Sequence, residues 1–186
     1  MQYLKQLRTI LLIGIVQGQS QQVILSTNTD GNHELSYQGE SVDFDAGTGF
    51  SVSLENDLIK EESLKIGLGI EYMFKRDLKD NMGKIKFENI VYGTIKILLS
   101  SNANPIYAKV RVGHASPKGD DGYEGDTLFP VIYKGGMLYG FGGEVYLNQS
   151  NFVELMFLNY KSGAFVNNVD LDIKHTHLNV GVGFTF

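Results

Sequence analysis

The sequence predicts an all-β chain closed into an eight-stranded antiparallel up-and-down transmembrane β-barrel, and three observations carry that prediction. Across residues 63–74 apolar and polar positions alternate strictly. Leu64, Ile66, Leu68, Ile70, Tyr72 and Phe74 fall on one face, and Lys65, Gly67, Gly69, Glu71 and Met73 on the other. No apolar run reaches the roughly 20 residues that a membrane helix takes. A chain of this kind that spans a membrane must therefore close its sheet, because lipid cannot hydrogen-bond an open edge. Finally, the joints between strand-like segments alternate short and long, the arrangement of bacterial transmembrane barrels.

Taken in chain order, residues 1–20 read as an export leader. Lys5 and Arg8 form a positive start, residues 10–16 are apolar, and Gly18-Gln19-Ser20 is a small-x-small cleavage site, so cutting is expected between Ser20 and Gln21. All the charges precede the apolar run, which argues against an amphipathic first helix. Removing the leader takes the formal charge from −5 to −7 and leaves one barrel domain over residues 21–186. A first strand falls near residues 22–29, where Val23-Ile24-Leu25 does not alternate and leaves the register open. Alternation then runs through residues 44–54, 63–74, 87–99, 106–114, 137–147, 151–160 and 177–186, which brings the count to eight.

The joints at 56–62, 100–105 and 148–150 are short, and those at 30–43, 75–86, 116–136 and 163–171 are longer and polar. Short turns are expected on the periplasmic rim, long loops outside, and both chain ends in the periplasm. A soluble barrel with a ligand cavity would also alternate. Two features favour lipid outside. The polar face carries Gly47, Gly49, Gly67, Gly69, Gly140, Gly142, Gly181 and Gly183, which suits a crowded interior, and the apolar face carries Tyr72 and Phe74 near one rim and Phe184 and Phe186 near the other.

With the polar face inward, Glu55, Lys65, Glu71, Lys96, Lys109, Arg111, Glu144 and Glu154 point into the lumen, four acids against four bases. Eight strands enclose a space that side chains just fill. A paired charge network holding the strands in register is therefore expected, and a narrow ion path along the same residues is the alternative. With no cysteine, disulfides, thiolate metal sites and thiol catalysis are excluded. The acidic balance leaves no basic footprint for nucleic acid.

His175 and His177 share the inward face at a spacing open to a metal, yet no third ligand is identifiable from sequence; hydrogen bonding to lumen carboxylates is the plainer expectation. Asp120, Asp121, Glu124 and Asp126 make the third long loop acidic without a calcium-loop spacing. No metal, cofactor or catalytic set is expected.

The final Val180-Gly181-Val182-Gly183-Phe184-Thr185-Phe186 resembles the C-terminal assembly signal of Gram-negative outer-membrane proteins, with Leu178, Val180, Val182, Phe184 and Phe186 as its alternating apolar positions. Residues 67–72, 140–145 and 152–156 are similar to strands of the porin-like, OmpX- and OmpA-barrel-like superfamily of small eight-stranded barrels. The resemblance implies residence in a Gram-negative outer membrane, contact with its lipids and lipopolysaccharide, and recognition by the barrel-assembly machinery. It is almost silent about activity. The lipid A-modifying barrel enzymes it brings into view pair a histidine with an outward serine, whereas the position two after His177 is Asn179. A structural or adhesin-like monomeric scaffold displaying four loops to an extracellular protein is expected. A narrow small-solute porin is the alternative, and a lipid A-modifying enzyme a further one.

Overall fold

The computed structural model describes residues 21–78, 84–119, 122–124, 127–129, 131–167 and 169–186. The leader, with Lys5, Arg8 and Ser20, lies outside the described residues, as do Asp120, Asp121 and Asp126. Every regular element among the described residues is a strand: β1 (Gln21–Tyr37), β2 (Glu40–Ala46), β3 (Gly49–Lys60), β4 (Leu64–Met73), β5 (Arg76–Asp77), β6 (Lys84–Ser100), β7 (Ile106–Gly119), β8 (Gly122–Glu124), β9 (Thr127–Phe129), β10 (Val131–Tyr146), β11 (Asn151–Val166) and β12 (Val169–Thr185).

Neighbouring staves run antiparallel in the order β12-β11-β10-β7-β6-β4-β3-β1, and β12 returns to β1. The ring has eight staves, because β2 continues β3 and β5 continues β4, while β8 and β9 form a small separate hairpin. Closure runs from Gln22↔Thr185 to Ser36↔Asp172, and the Phe186 amide donates to the Gln21 carbonyl at 2.9 Å. No sheet edge is left inside the ring, which is what a hydrocarbon surrounding demands.

Alternation sets the two faces. Leu25, Phe50, Leu54, Ile95, Val110, Phe141, Leu155, Val180 and Val182 are exposed on the outside, with Tyr72, Phe74, Phe184 and Phe186 at its two rims. Such a continuous apolar exterior on a sheet whose interior is charged is the reverse of a water-soluble barrel, and it forms the lipid-facing band. Residues facing inward are packed in three tiers. The lower tier, on the short-turn side, holds Ile24, Tyr107, Tyr146 and Phe152. A middle belt holds the charges, and an upper tier holds Met73, Phe87, Ile90, Leu138, Leu158 and Tyr160.

The strands run longer than alternation indicates. A membrane needs about 9–11 residues per tilted strand, whereas β1, β6 and β12 have 17 residues each. Residues 30–43, and 163–167 with 169–171, read as loops, are instead the arms of β-hairpins. In the first, β1 turns back on β2 through Gln38 (φ 50) and Gly39 (φ 90). Two successive positive φ values make the tight hairpin turn whose twist matches its strands. Likewise the joint read at 56–62 is strand to Lys60, which leaves only residues 61–63 to turn. Above the lipid band, β10, β11, β12, β1 and β2 therefore continue side by side as a five-stranded sheet.

Candidate functional site

The middle belt is built from one or two residues on each of several staves. Glu55 on β3 is its hub: it accepts from Lys109 Nζ at 2.8 Å to both oxygens, Lys96 Nζ at 3.2 Å, Arg111 Nη2 at 3.0 Å and the Tyr92 hydroxyl at 3.0 Å. Lys109 also reaches Glu144 at 2.7 Å and bonds Glu154, while Lys96 reaches Glu144 at 3.1 Å and Gln22 Oε1 at 2.6 Å. Arg111 adds Glu71 at 3.1 Å and Glu154 at 3.3 Å and lies over the Tyr92 ring. Buried charges are tolerable only with such multiple partners.

Gly69 makes room for this arrangement, because a Cβ there would run into the Tyr92 ring that carries its hydroxyl to Glu55. Glu55, Glu144 and Glu154 each bring an oxygen within 4.8 Å of the others, a spacing that suits a cation. Lys109 bonds all three, so its ammonium serves as that cation.

Seven of the eight charges assigned to the lumen from sequence meet in this belt; Lys65 does not. It is half-buried at the lower mouth, where its Nζ lies 4.2 Å from the Tyr107 ring centroid and 5.1 Å from that of Tyr146. Its parity is inward, but strand tilt sets it below the carboxylates. Asp57 takes its place in the belt, 3.4 Å from Lys96, at a position read as turn. The belt thus carries five acids, Glu55, Asp57, Glu71, Glu144 and Glu154, against three bases.

The upper tier is different. His33 on β1 stands directly across from His175 on β12 in the ladder, with ring centroids 5.6 Å apart, and His177 follows at 5.4 Å from His175. His175 and His177 do not bond lumen carboxylates as expected. His177 Nδ1 meets Arg76 Nη2 at 3.3 Å, and His175 packs against Phe87, Tyr160 and its fellow imidazoles. Above the band, hydrogen bonding to Lys86 at 2.5 Å holds Glu88 below the usual carboxylate range and raises Lys86 in turn.

The positions read from the sequence as an assembly signal lie on the outer face of β12. Val180, Val182, Phe184 and Phe186 are exposed to the band and Leu178 is half-exposed. Gln21, the expected new amino terminus, begins β1 beside them.

Solved structures share this ring. Neisserial surface protein A superposes with a TM-score of 0.54 at 13% identity, over 89% of this chain and 97% of that one. The attachment invasion locus protein Ail of Yersinia pestis gives 0.55 at 12% identity, over 90% and 99%. The chain has the fold of the small outer-membrane β-barrels. Another such outer-membrane barrel, OprG from Pseudomonas aeruginosa, gives 0.57 at 10% identity, over 90% of this chain and 96% of that one. No protein-family profile matches the sequence, and no curated protein sequence is significantly similar to it. At these identities the likeness concerns the fold, so what this outer-membrane barrel does must come from its own lumen and surface.

Proposed function

We propose that this protein is a solute-closed outer-membrane barrel serving as a surface-interaction scaffold, exported by a leader over residues 1–20 and assembled through its last strand. One observation carries the reading. The lumen is packed in all three tiers, while five strands continue above the lipid band and end in an open edge. Among the described residues that edge is β2, which pairs with β1 on one side and, on the other, makes a single bridge from Ala46 to Leu78.

An open edge is a template for an added strand, with backbone bonds supplying affinity. Val42 is exposed there between Glu40 and Asp43, also exposed. The acids discourage two copies from pairing edge to edge and favour a partner segment carrying Lys or Arg. Cells displaying the protein are expected to adhere to surfaces coated with basic matrix proteins. The double variant Glu40→Lys, Asp43→Lys should lose that adhesion at unchanged surface level, and equal adhesion by variant and parent would remove the edge from consideration. In planar bilayers the purified protein is expected to stay silent; reproducible unitary currents would overturn the closed lumen.

A further inference from the structure

Where the five-stranded sheet rises from the lipid band, two lysines stand side by side on the outer wall. Lys161 on β11 and Lys174 on β12 are directly opposite in the ladder, and both are exposed. Lys174 and Phe184 share the outward face of β12, ten residues apart. On a strand tilted about 40° that separation climbs about 25 Å, the height of the apolar band. With Phe184 at the lower rim, the lysine pair sits at the upper one, where lipid headgroups begin.

Like charges directly opposite in a sheet repel. Lys174 Nζ has one acid, Glu34, at 3.2 Å. Among the described residues Lys161 has no ion pair; its Nζ lies 5.7 Å from the Tyr139 ring centroid. The neighbouring acids stand beside the pair or above it: Glu34 across on β1, Asp172 at the next outward position up β12, and Asp170 beyond, bonded to Lys134. Below, toward the lipid, neither strand carries another outward charge. The next outward pair is Asn159 and Thr176, with Tyr139 opposite Asn159 on β10, and then come Phe157 and Leu178.

We infer that this corner binds the phosphomonoester head of an outer-leaflet lipid. The phosphate bridges Lys161 and Lys174, Asn159 and Thr176 donate to it from below, and the acyl chains lie on Phe157, Leu178 and Val180. A phosphomonoester carries about −1.5 to −2 charges at neutral pH and three acceptor oxygens. It can accept from both ammoniums at once, which turns their repulsion into a bridge of charge-assisted bonds. Glu34 occupies only one of the three donors that Lys174 offers. A zwitterionic head would bring a cation of its own to the pair, and a lipid without phosphate would leave the pair unbridged. A polyanion arriving from water meets Glu34, Asp170 and Asp172 first, and these repel it. Binding here needs the outer-membrane setting but not the β2 edge, so either can fail alone.

The test uses the full barrel in dodecyl maltoside micelles, with dipalmitoyl phosphatidic acid and dipalmitoylglycerol as probes that differ by the phosphate. Native mass spectrometry across a lipid titration is expected to show the phosphorylated probe bound about tenfold or more tightly, the worth of hydrogen bonds to a charged group. The double variant Lys161→Gln, Lys174→Gln should remove that preference. Lys84→Gln with Lys118→Gln takes the same charge from exposed lysines on β6 and β7 and should leave it intact. Equal binding of the two probes by the parent would overturn the inference. So would a preference that survives loss of Lys161 and Lys174, or one that falls equally with Lys84 and Lys118, since bulk charge would then be enough. Tighter binding of a soluble heparin fragment than of phosphatidic acid at the same two lysines would also overturn it, and would assign the corner to a water-borne polyanion.

Discussion

The middle and upper tiers of the lumen are built by the same staves with the same inward parity, yet they handle buried polarity in opposite ways. In the belt every cation has several acceptors: Lys96 and Lys109 each reach two or more carboxylates, and Arg111 reaches Glu55, Glu71 and Glu154. In the upper tier, His33 Nδ1, both ring nitrogens of His175, His177 Nε2 and Arg76 Nε and Nη1 are buried without a hydrogen-bond partner. Arg111 Nε and Glu144 Oε2 in the belt lack partners too, but both groups are paired through their other atoms; a network paired in this way ties distant staves together, whereas orphaned polar atoms each forfeit about 1–3 kcal/mol. Stability is therefore concentrated low in the barrel, away from the surface sheet.

The contrast breaks most visibly at the hub. Glu55→Gln keeps the size of the side chain but leaves Lys96, Lys109 and Arg111 without their shared anion. Removing one member of a buried ionic network costs about 3–5 kcal/mol. Urea unfolding in lipid, followed by the heat-modifiable band on unboiled gels, should show a loss of that size. A loss under about 1 kcal/mol would mean that the belt is bulk filling and not a tie between staves.

A smaller loss is expected at Gly69, whose bare α-carbon lets the Tyr92 ring approach. Gly69→Ala puts a methyl into that ring. Overpacking of a tight interior typically costs about 1–3 kcal/mol, and here it also draws the Tyr92 hydroxyl away from Glu55. The belt and its glycine act together, so Gly69→Ala in a Tyr92→Leu background should cost less than alone, as a double-mutant cycle would record.

How much of this was legible from sequence depended on which property the sequence encodes. Alternation is a two-residue signal, so it marks the face of a residue well: Leu68 outward and Gly69 inward follow from the run at 63–74. Level along the barrel axis is set by strand tilt and stagger, which no single strand carries. That is why Lys65, correctly inward, lies at the mouth instead of in the belt. Asp57 escaped notice because the register slips between Asp57 and Ile59, which disguises the end of β3 as turn. The hairpins above the membrane were read as loops because toward their tips, beyond His33 and Ala164, both faces meet water, which erases the apolar alternation. His33 could not be set beside His175 while the register of the first strand was open. That register is itself interrupted between Thr29 and Asn32, so parity below the slip does not carry to the histidine.

The smallest expected effect sharpens the comparison furthest, because its sign runs against the rule of the belt. His175 is fully buried, neither ring nitrogen has a partner, and the rings of Phe87, Tyr160, His33 and His177 surround it. Replacing an unsatisfied buried polar ring by an apolar one of similar shape removes a desolvation cost and adds aromatic contact. His175→Phe should therefore leave stability within about 1 kcal/mol of the parent, or raise it, where a comparable substitution of any belt residue lowers it by several times as much. The same unfolding experiment decides the point. A loss of 3 kcal/mol or more, of the order seen on breaking a buried polar network, would show that the imidazoles are held by partners in the membrane-embedded protein. The upper tier would then be a second network and not a packed cap.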